Sequence, residues 1–437
     1  MSARVAPANS PPLGLVSPFL LAAPFGLVAA GALLAASGSD TFAAINVPHT
    51  VAITHALVLG WVTTLMMGAL YQLGAAVIGG RLLSERLARF QVVLHIGAVA
   101  LFTWSVAGWR TGLMPAAGGL VVLSFALFAA NVAHALLTSA NHSLPRLGAG
   151  LALSWLGIAG GIGLTFALAL NQAWFPITQG RLAAHAHAGL AGWLAMTLLG
   201  VSYQLVPMFN VITKAKPFHG GAVLAGTCAA IALFAIVMAF DPPWPVRLAA
   251  AMLLAAGPTA WAVDIVRLLR SRSKRRLDIQ GRATIVSTAF LGATIVVGLL
   301  AAVGEPVAPA GEPTRLLLAY GILGIGGWMG CAMVGNSFKI LPFLLWYHRY
   351  RPRVGTAPVP VVGDIYSEAV ATASLASLAG AVAWLAVSAL AGSLTGLHAG
   401  GMLLAGSGLI HFAGMAHTFL PKTSSRDVPS RVPVVHS

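Results

Sequence analysis

Imidazole binds heme iron and copper, carries protons near neutral pH, and meets few competing ligands inside a lipid bilayer. Two of the thirteen histidines in this sequence stand out because the chain writes their surroundings twice. Residues 55–73 read HALVLGWVTTLMMGALYQL, and residues 187–205 read HAGLAGWLAMTLLGVSYQL. At a fixed offset of 132 residues, His55, Gly60, Trp61, Gly68, Tyr71, Gln72 and Leu73 meet His187, Gly192, Trp193, Gly200, Tyr203, Gln204 and Leu205. A weaker third copy lies 267 residues from the first: Trp328, Gly335, Phe338, Lys339 and Ile340 take the equivalent positions, and Ile322 replaces the histidine. His55 and His187 are each either a heme or metal ligand or a side chain that ties neighbouring helices together.

The remaining histidines sort around these two. His185 precedes His187 by two residues, which puts it on nearly the opposite helix face, so only one of the pair can face a shared site. Both are candidate metal ligands. His398 opens the motif LHAGG, an echo of HAGL at 187, and is the candidate third ligand beside His55 and His187. His95, His134, His411 and His417 belong at the other membrane face, and whether they form a second site is open. His411 and His417 are six residues apart and so lie on different faces of one helix. Trp61 and Trp193 would either wall a porphyrin or pack, and their helical spacing favours packing. A fainter echo closes each repeat, NVAHALL (131–137), WAVDIVRLL (261–269) and GMAHTFL (414–420), with His134, Asp264 and His417 in similar places.

The elements that position these residues must be membrane helices. The chain has 437 residues, 58% hydrophobic and 8% charged, a composition that excludes an ordinary soluble domain. In hydrocarbon the backbone satisfies its own hydrogen bonds, and apolar runs of about 20 residues do so as helices. Twelve spans are expected near 14–37, 50–79, 88–108, 115–138, 147–171, 183–209, 219–240, 245–268, 283–303, 314–345, 366–391 and 396–420. The repeat groups them into three pseudo-threefold units of four helices, about 14–138, 147–268 and 283–420, in a single membrane domain over 1–437. The duplicated helix is the second of each unit, hence spans two, six and ten. The basic residues divide 21 to 4 between the two faces, which puts both termini in the cytoplasm of a bacterial-type inner membrane. His55, His187 and His398 then fall in the periplasmic third.

The net charge of +15 belongs to loops beside spans, so nucleic acid is not an expected partner; the lipid bilayer is. The basic loop 269–282 reads as a cytoplasmic anchor, and the tail 421–437 as disordered. Cys228 and Cys331 fall inside apolar runs without ligand spacing and read as small buried hydrophobes. The first span has no cleavage signature and is expected to be retained. No nucleotide-binding glycine loop, Ser/His/Asp arrangement or paired catalytic carboxylate occurs; Glu305, Glu312, Asp364 and Glu368 sit in loops or at span ends. Lys339, in place of the repeat's glutamine, is expected to snorkel to the surface.

Twelve spans in three units, with histidines at the outer ends of the second and sixth, resemble subunit I of the heme–copper oxidase superfamily. Segments 49–73 and 200–209 (GVSYQLVPMF) are similar to the cytochrome-cbb3 and nitric-oxide-reductase branch. By that resemblance His55 would be an axial ligand of a low-spin heme. His187 would lie on the helix that supplies a copper ligand, and a cytochrome c-like protein or another membrane redox subunit would be the electron partner. The chain departs from the family pattern at its seventh span, which has only His219 at its margin, and at its tenth, which has no histidine. A conventional oxygen-reducing centre is therefore not expected. Two functional classes follow: a divergent heme or copper protein that handles electrons or a diatomic gas, with His55, His187 and His398 as ligands, or a metal-free transporter, sensor or assembly partner.

Overall fold

The computed structural model describes residues 11–421, without Lys214 and Lys274 and without the side chains of residues 75, 76 and 311. Arg4, Lys422, Arg426 and Arg431 lie outside the described residues, as does all but Pro421 of the tail 421–437 that reads as disordered. Among the described residues the chain is all-helical, with no strand, and twelve helices are long and apolar enough to cross a membrane. They are α1 Leu13–Ala35, α2 Pro48–Gly74, α3 Glu85–Ala107, α4 Met114–Thr138, α5 Leu144–Gln172 and α6 Gln179–Phe209, then α7 Gly220–Met238, α8 Trp244–Arg270, α9 Ile279–Val303, α10 Pro313–Arg349, α11 Glu368–Ala391 and α12 Leu394–His417. This is a multi-pass membrane protein. Every expected span is present, most with ends within a few residues.

The helix starts follow from local chemistry. Proline stands at the first or second position of α2, α4, α5, α8 and α10, where its missing N–H costs nothing. Ser84, Thr178, Ser367 and Ser393 instead cap α3, α6, α11 and α12 with a hydroxyl that accepts a backbone N–H of the first turn. Asp278 caps α9 by accepting the N–H groups of Gln280 and Gly281.

Consecutive helices pack side by side, and α1 against α12 closes the ring. Three helices differ from the rest. In α2, α6 and α10 the most apolar window is 61, 78 and 67% buried, against at most 44% in any other span, so these three form the centre. Each contains a wider π-helical stretch: Ala56–Thr63, Ala188–Ala195 and Ile322–Gly330. The first two are related by the 132-residue offset, and the third ends where the 267-residue offset places it. The three stretches touch pairwise at the centre. Glycine explains the close approach around them. A Cβ at Gly192 would lie 2.5 Å from Trp155 Cγ of α5, and one at the equivalent Gly327 would lie 2.6 Å from Phe290 of α9.

Candidate functional site

Trp61 and Trp193 pack against neighbouring long helices. Trp61, Trp193 and Trp328 are all buried. A Cβ at Gly330 would lie 2.4 Å from Trp61 Cη2, and Trp193 Nε1 donates to Thr63 Oγ1 at 3.1 Å. Thr63 and Gly330 are repeat equivalents, each eight residues beyond the histidine position. Each of these two indoles thus lies on the same register position of the long helix in the cyclically preceding unit.

The histidine position opens each π stretch. A π turn shifts the backbone partners by one residue and often accompanies functional sites. His55 Nδ1 donates to the Val51 carbonyl at 2.7 Å, and His187 Nδ1 donates to the Ala183 carbonyl at 2.8 Å, the same bond one turn back in both repeats. A carbonyl only accepts, so the neutral ring carries its proton on Nδ1 and turns an Nε2 lone pair outward. Metal-ligating imidazoles are commonly oriented by such a bond on the far nitrogen. A phenylalanine of the next helix fixes each ring: Phe102 stands 5.1 Å from His55 and its equivalent, Phe234, 4.4 Å from His187.

His187 faces a cavity of about 460 Å³ between α6, α7, α8, α9 and α10. Its Nε2 accepts the Tyr320 hydroxyl at 2.9 Å, and the two rings stack at 5.8 Å. The walls are mostly apolar, including Phe234, Leu291 and Trp328, with Thr227 and Thr294 among them. Asp241, Arg247 and Glu305 add charge to the lining. Asp241 accepts the Gly180 N–H at 2.9 Å, and Arg247 donates to the Ala302 carbonyl at 3.2 Å.

The structure separates the other candidate ligands. His185 turns away from this cavity towards α5, where Phe166 lies 5.5 Å off and a Cβ at Gly163 would meet the His185 ring at 3.0 Å. His398 Nε2 donates to the Ser37 carbonyl at 2.7 Å and so ties α12 to the end of α1. His55, His187 and His398 therefore do not converge on one centre. His95 bonds to Thr64 and Ser124 at 3.2 and 3.0 Å, and His411 to Ser337 at 2.9 Å, each joining its helix to a neighbour. His134 holds the loop after α2 through the Arg81 carbonyl at 2.9 Å, and Asp264 holds the loop after α6 through the Phe218 N–H at 3.0 Å. The weak closing echo is thus a loop tether in two of the three units.

Sequence reasoning missed Tyr320 and its register. Tyr320 stands two residues before Ile322, as His185 stands two residues before His187. Across α6–α10 the histidine position, His187, thus faces the position two residues before its equivalent on the next long helix. The offset that relates His55 to His187 also relates Phe102 to Phe234, so the same alignment extended one helix further would have found the ring supports. Lys339 does not snorkel: its Nζ lies 2.8 Å from Asp278 Oδ2, with both side chains at most 15% exposed.

A heme fits the His187 cavity on this chain's own features. The ring turns Nε2, engaged by the Tyr320 hydroxyl, towards the cavity while its other nitrogen is tethered, the walls are mostly apolar, the volume lies within the range of cofactor pockets, and Arg247 offers a cation for carboxylates. Copper is different, because a stable centre at His187 needs further donors. Among the described residues no three His, Cys, Asp or Glu side chains converge, and His185 faces the other way. The chain matches no family model and no curated protein.

Proposed function

We propose that this chain is a membrane heme protein of the heme–copper oxidase subunit I type, which handles electrons or a diatomic gas and has no oxygen-reducing heme–copper centre. The observation that carries the proposal is His187, with its proton fixed on Nδ1 and its Nε2 aimed into the α6–α10 cavity. His187 would ligate the heme iron, Phe234 would fix the imidazole plane, and Arg247 would neutralise propionate charge. When bound, the heme supplies one-electron redox chemistry and an iron that takes small diatomic ligands. Tyr320 is the residue that decides access: its hydroxyl must release Nε2 before that nitrogen can serve any other partner. The mostly apolar lining raises the weight of each charge beside it. His398, suggested by its LHAGG motif, is left out of this ligand set because its Nε2 is spent on Ser37. Periplasmic placement of this cavity, with cytoplasmic termini in an inner membrane, follows from the distribution of basic residues.

The test is a heme assay on detergent-purified protein, with His187→Ala beside it. Loss of the heme absorption in that variant, with the fold retained, supports the proposal; full heme content sinks it. The metal-free transporter reading is favoured by one observation, the Asp241, Arg247 and Glu305 side chains in the cavity lining, which suit a polar solute. A heme-free folded protein after heme supply during expression would select it.

A further inference from the structure

The least buried spans are α8 and α9, whose most apolar windows are only 17% buried. On α8 the exposed positions Met252, Ala256, Thr259, Val263, Arg267 and Arg270 recur every three or four residues and so form one stripe. Thr259 returns its hydroxyl to the Ala255 carbonyl at 2.7 Å, which leaves the stripe apolar from Met252 to Val263. That stretch rises about 17 Å, close to the depth of one hydrocarbon leaflet. Beyond it stand the two arginines, at the opposite end of α8 from Arg247 and the His187 cavity.

The loops around these arginines are pinned together. Arg267 Nη2 lies 2.9 Å from Asp264 Oδ1 and donates to the Lys216 carbonyl at 2.8 Å, and its guanidinium stands 5.3 Å from the Phe218 ring. Phe218, 70% exposed, is held by its own N–H to Asp264. The Ser273 N–H reaches the Val211 carbonyl at 3.5 Å, which lays the α8–α9 connection against the loop after α6. Lys216, Arg270, Arg275 and Arg276 are exposed on these segments. The only carboxylates in residues 210–218 and 264–278 are Asp264 and Asp278, and they pair with Arg267 and Lys339. The exposed cations therefore have no acid to match them on these segments. Topology alone does not account for this excess. The equivalent connection between α4 and α5, 139–143, has no lysine or arginine, whereas 271–278 has four. Guanidinium groups grip phosphate oxygens through paired hydrogen bonds, and an exposed phenylalanine beside them suits the boundary between headgroups and acyl chains.

We propose that the basic end of α8 binds an anionic phospholipid, its phosphodiester met by Arg270, Arg275 and Arg276 and its acyl chains lying along the stripe from Met252 to Val263. The occupant is a lipid rather than a soluble anion because the basic surface runs straight into that apolar stripe. The experiment adds phosphatidylglycerol, or phosphatidylcholine with the same acyl chains, to the full-length protein in neutral detergent. Bound lipid is counted by native mass spectrometry and stabilisation is read by thermal unfolding. The parent should prefer phosphatidylglycerol about 100-fold, the product of about fivefold for each of three arginines. Arg270→Gln should lower that preference about fivefold, and Arg275→Gln with Arg276→Gln about 25-fold. Arg86→Gln with Arg89→Gln removes as much exposed charge at the start of α3 and should leave the preference intact. High salt should abolish the preference in the parent, a test that needs no variant. Equal binding of the two lipids by the folded parent overturns the proposal and leaves an acidic protein segment as the partner of this surface. So does an equal loss in the α3 variant, or stabilisation by glycerol 3-phosphate that matches that of the lipid.

Discussion

Lys339 and Asp278 form a largely buried ion pair in the third unit, and replacing Lys339 by glutamine tests how the repeat diverged. At 2.8 Å, with side chains 15 and 12% exposed, the pair has a gross attraction of about 6 kcal/mol at an effective dielectric near 20. Desolvation cancels much of this, so the net worth of the intact pair is small. Removing one partner is another matter, since it leaves the other charge buried. Asp278 would keep its bonds to the Gln280 and Gly281 N–H groups at the start of α9, which soften the loss. The expected cost of Lys339→Gln is therefore about 3 kcal/mol, the low end for a broken buried pair. The second unit has Gln204 and Ser143 at the equivalent positions. Combining Lys339→Gln with Asp278→Ser installs that uncharged pair and should return stability to within about 1 kcal/mol of the parent. The assay is SDS-driven unfolding of the detergent-solubilised protein, read as a double-mutant cycle. A single variant within about 0.5 kcal/mol of the parent, or a double variant no better than the single, would refute the reasoning.

Tyr320→Phe removes the hydroxyl that occupies His187 Nε2 and should tighten heme binding about fivefold, the worth of one hydrogen bond near 1 kcal/mol; weaker binding would mean that Tyr320 helps to hold the heme. Gly192→Ala pushes a Cβ to 2.5 Å from Trp155 and should cost about 1–3 kcal/mol, while Gly221→Ala, with open space around it, should cost nothing measurable by the same SDS titration. His398→Ala should lower stability by about 1 kcal/mol through the lost Ser37 bond and leave the heme spectrum unchanged.

The fold was legible because lipid leaves the backbone few options. Twelve apolar runs and one repeated helix placed the spans and set α2, α6 and α10 apart. The site was legible only in part. A period of 3.6 residues separates His185 from His187 on one helix, and that prediction matches the two directions their rings take. Which neighbour each ring would meet was not readable, because a helix face names a direction and not a partner. His398 shows the limit: its resemblance to the HAGL motif is real in sequence, yet a carbonyl at the end of α1 takes its nitrogen. Asp278 escaped notice for the same reason, since its partner Lys339 lies on another helix. The π stretches were also invisible, because nothing in the residue pattern separates an i→i+5 turn from an ordinary one.

The most direct test of the heme reading is a reduced-minus-oxidised spectrum with iron quantified on the same detergent-purified sample, parent beside His187→Ala. Sharp heme bands with one iron per chain in the parent, lost in folded His187→Ala and retained in His398→Ala, are expected. A featureless parent spectrum after heme supply, or heme bands untouched by His187→Ala, would contradict the assignment of His187 as the heme-iron ligand.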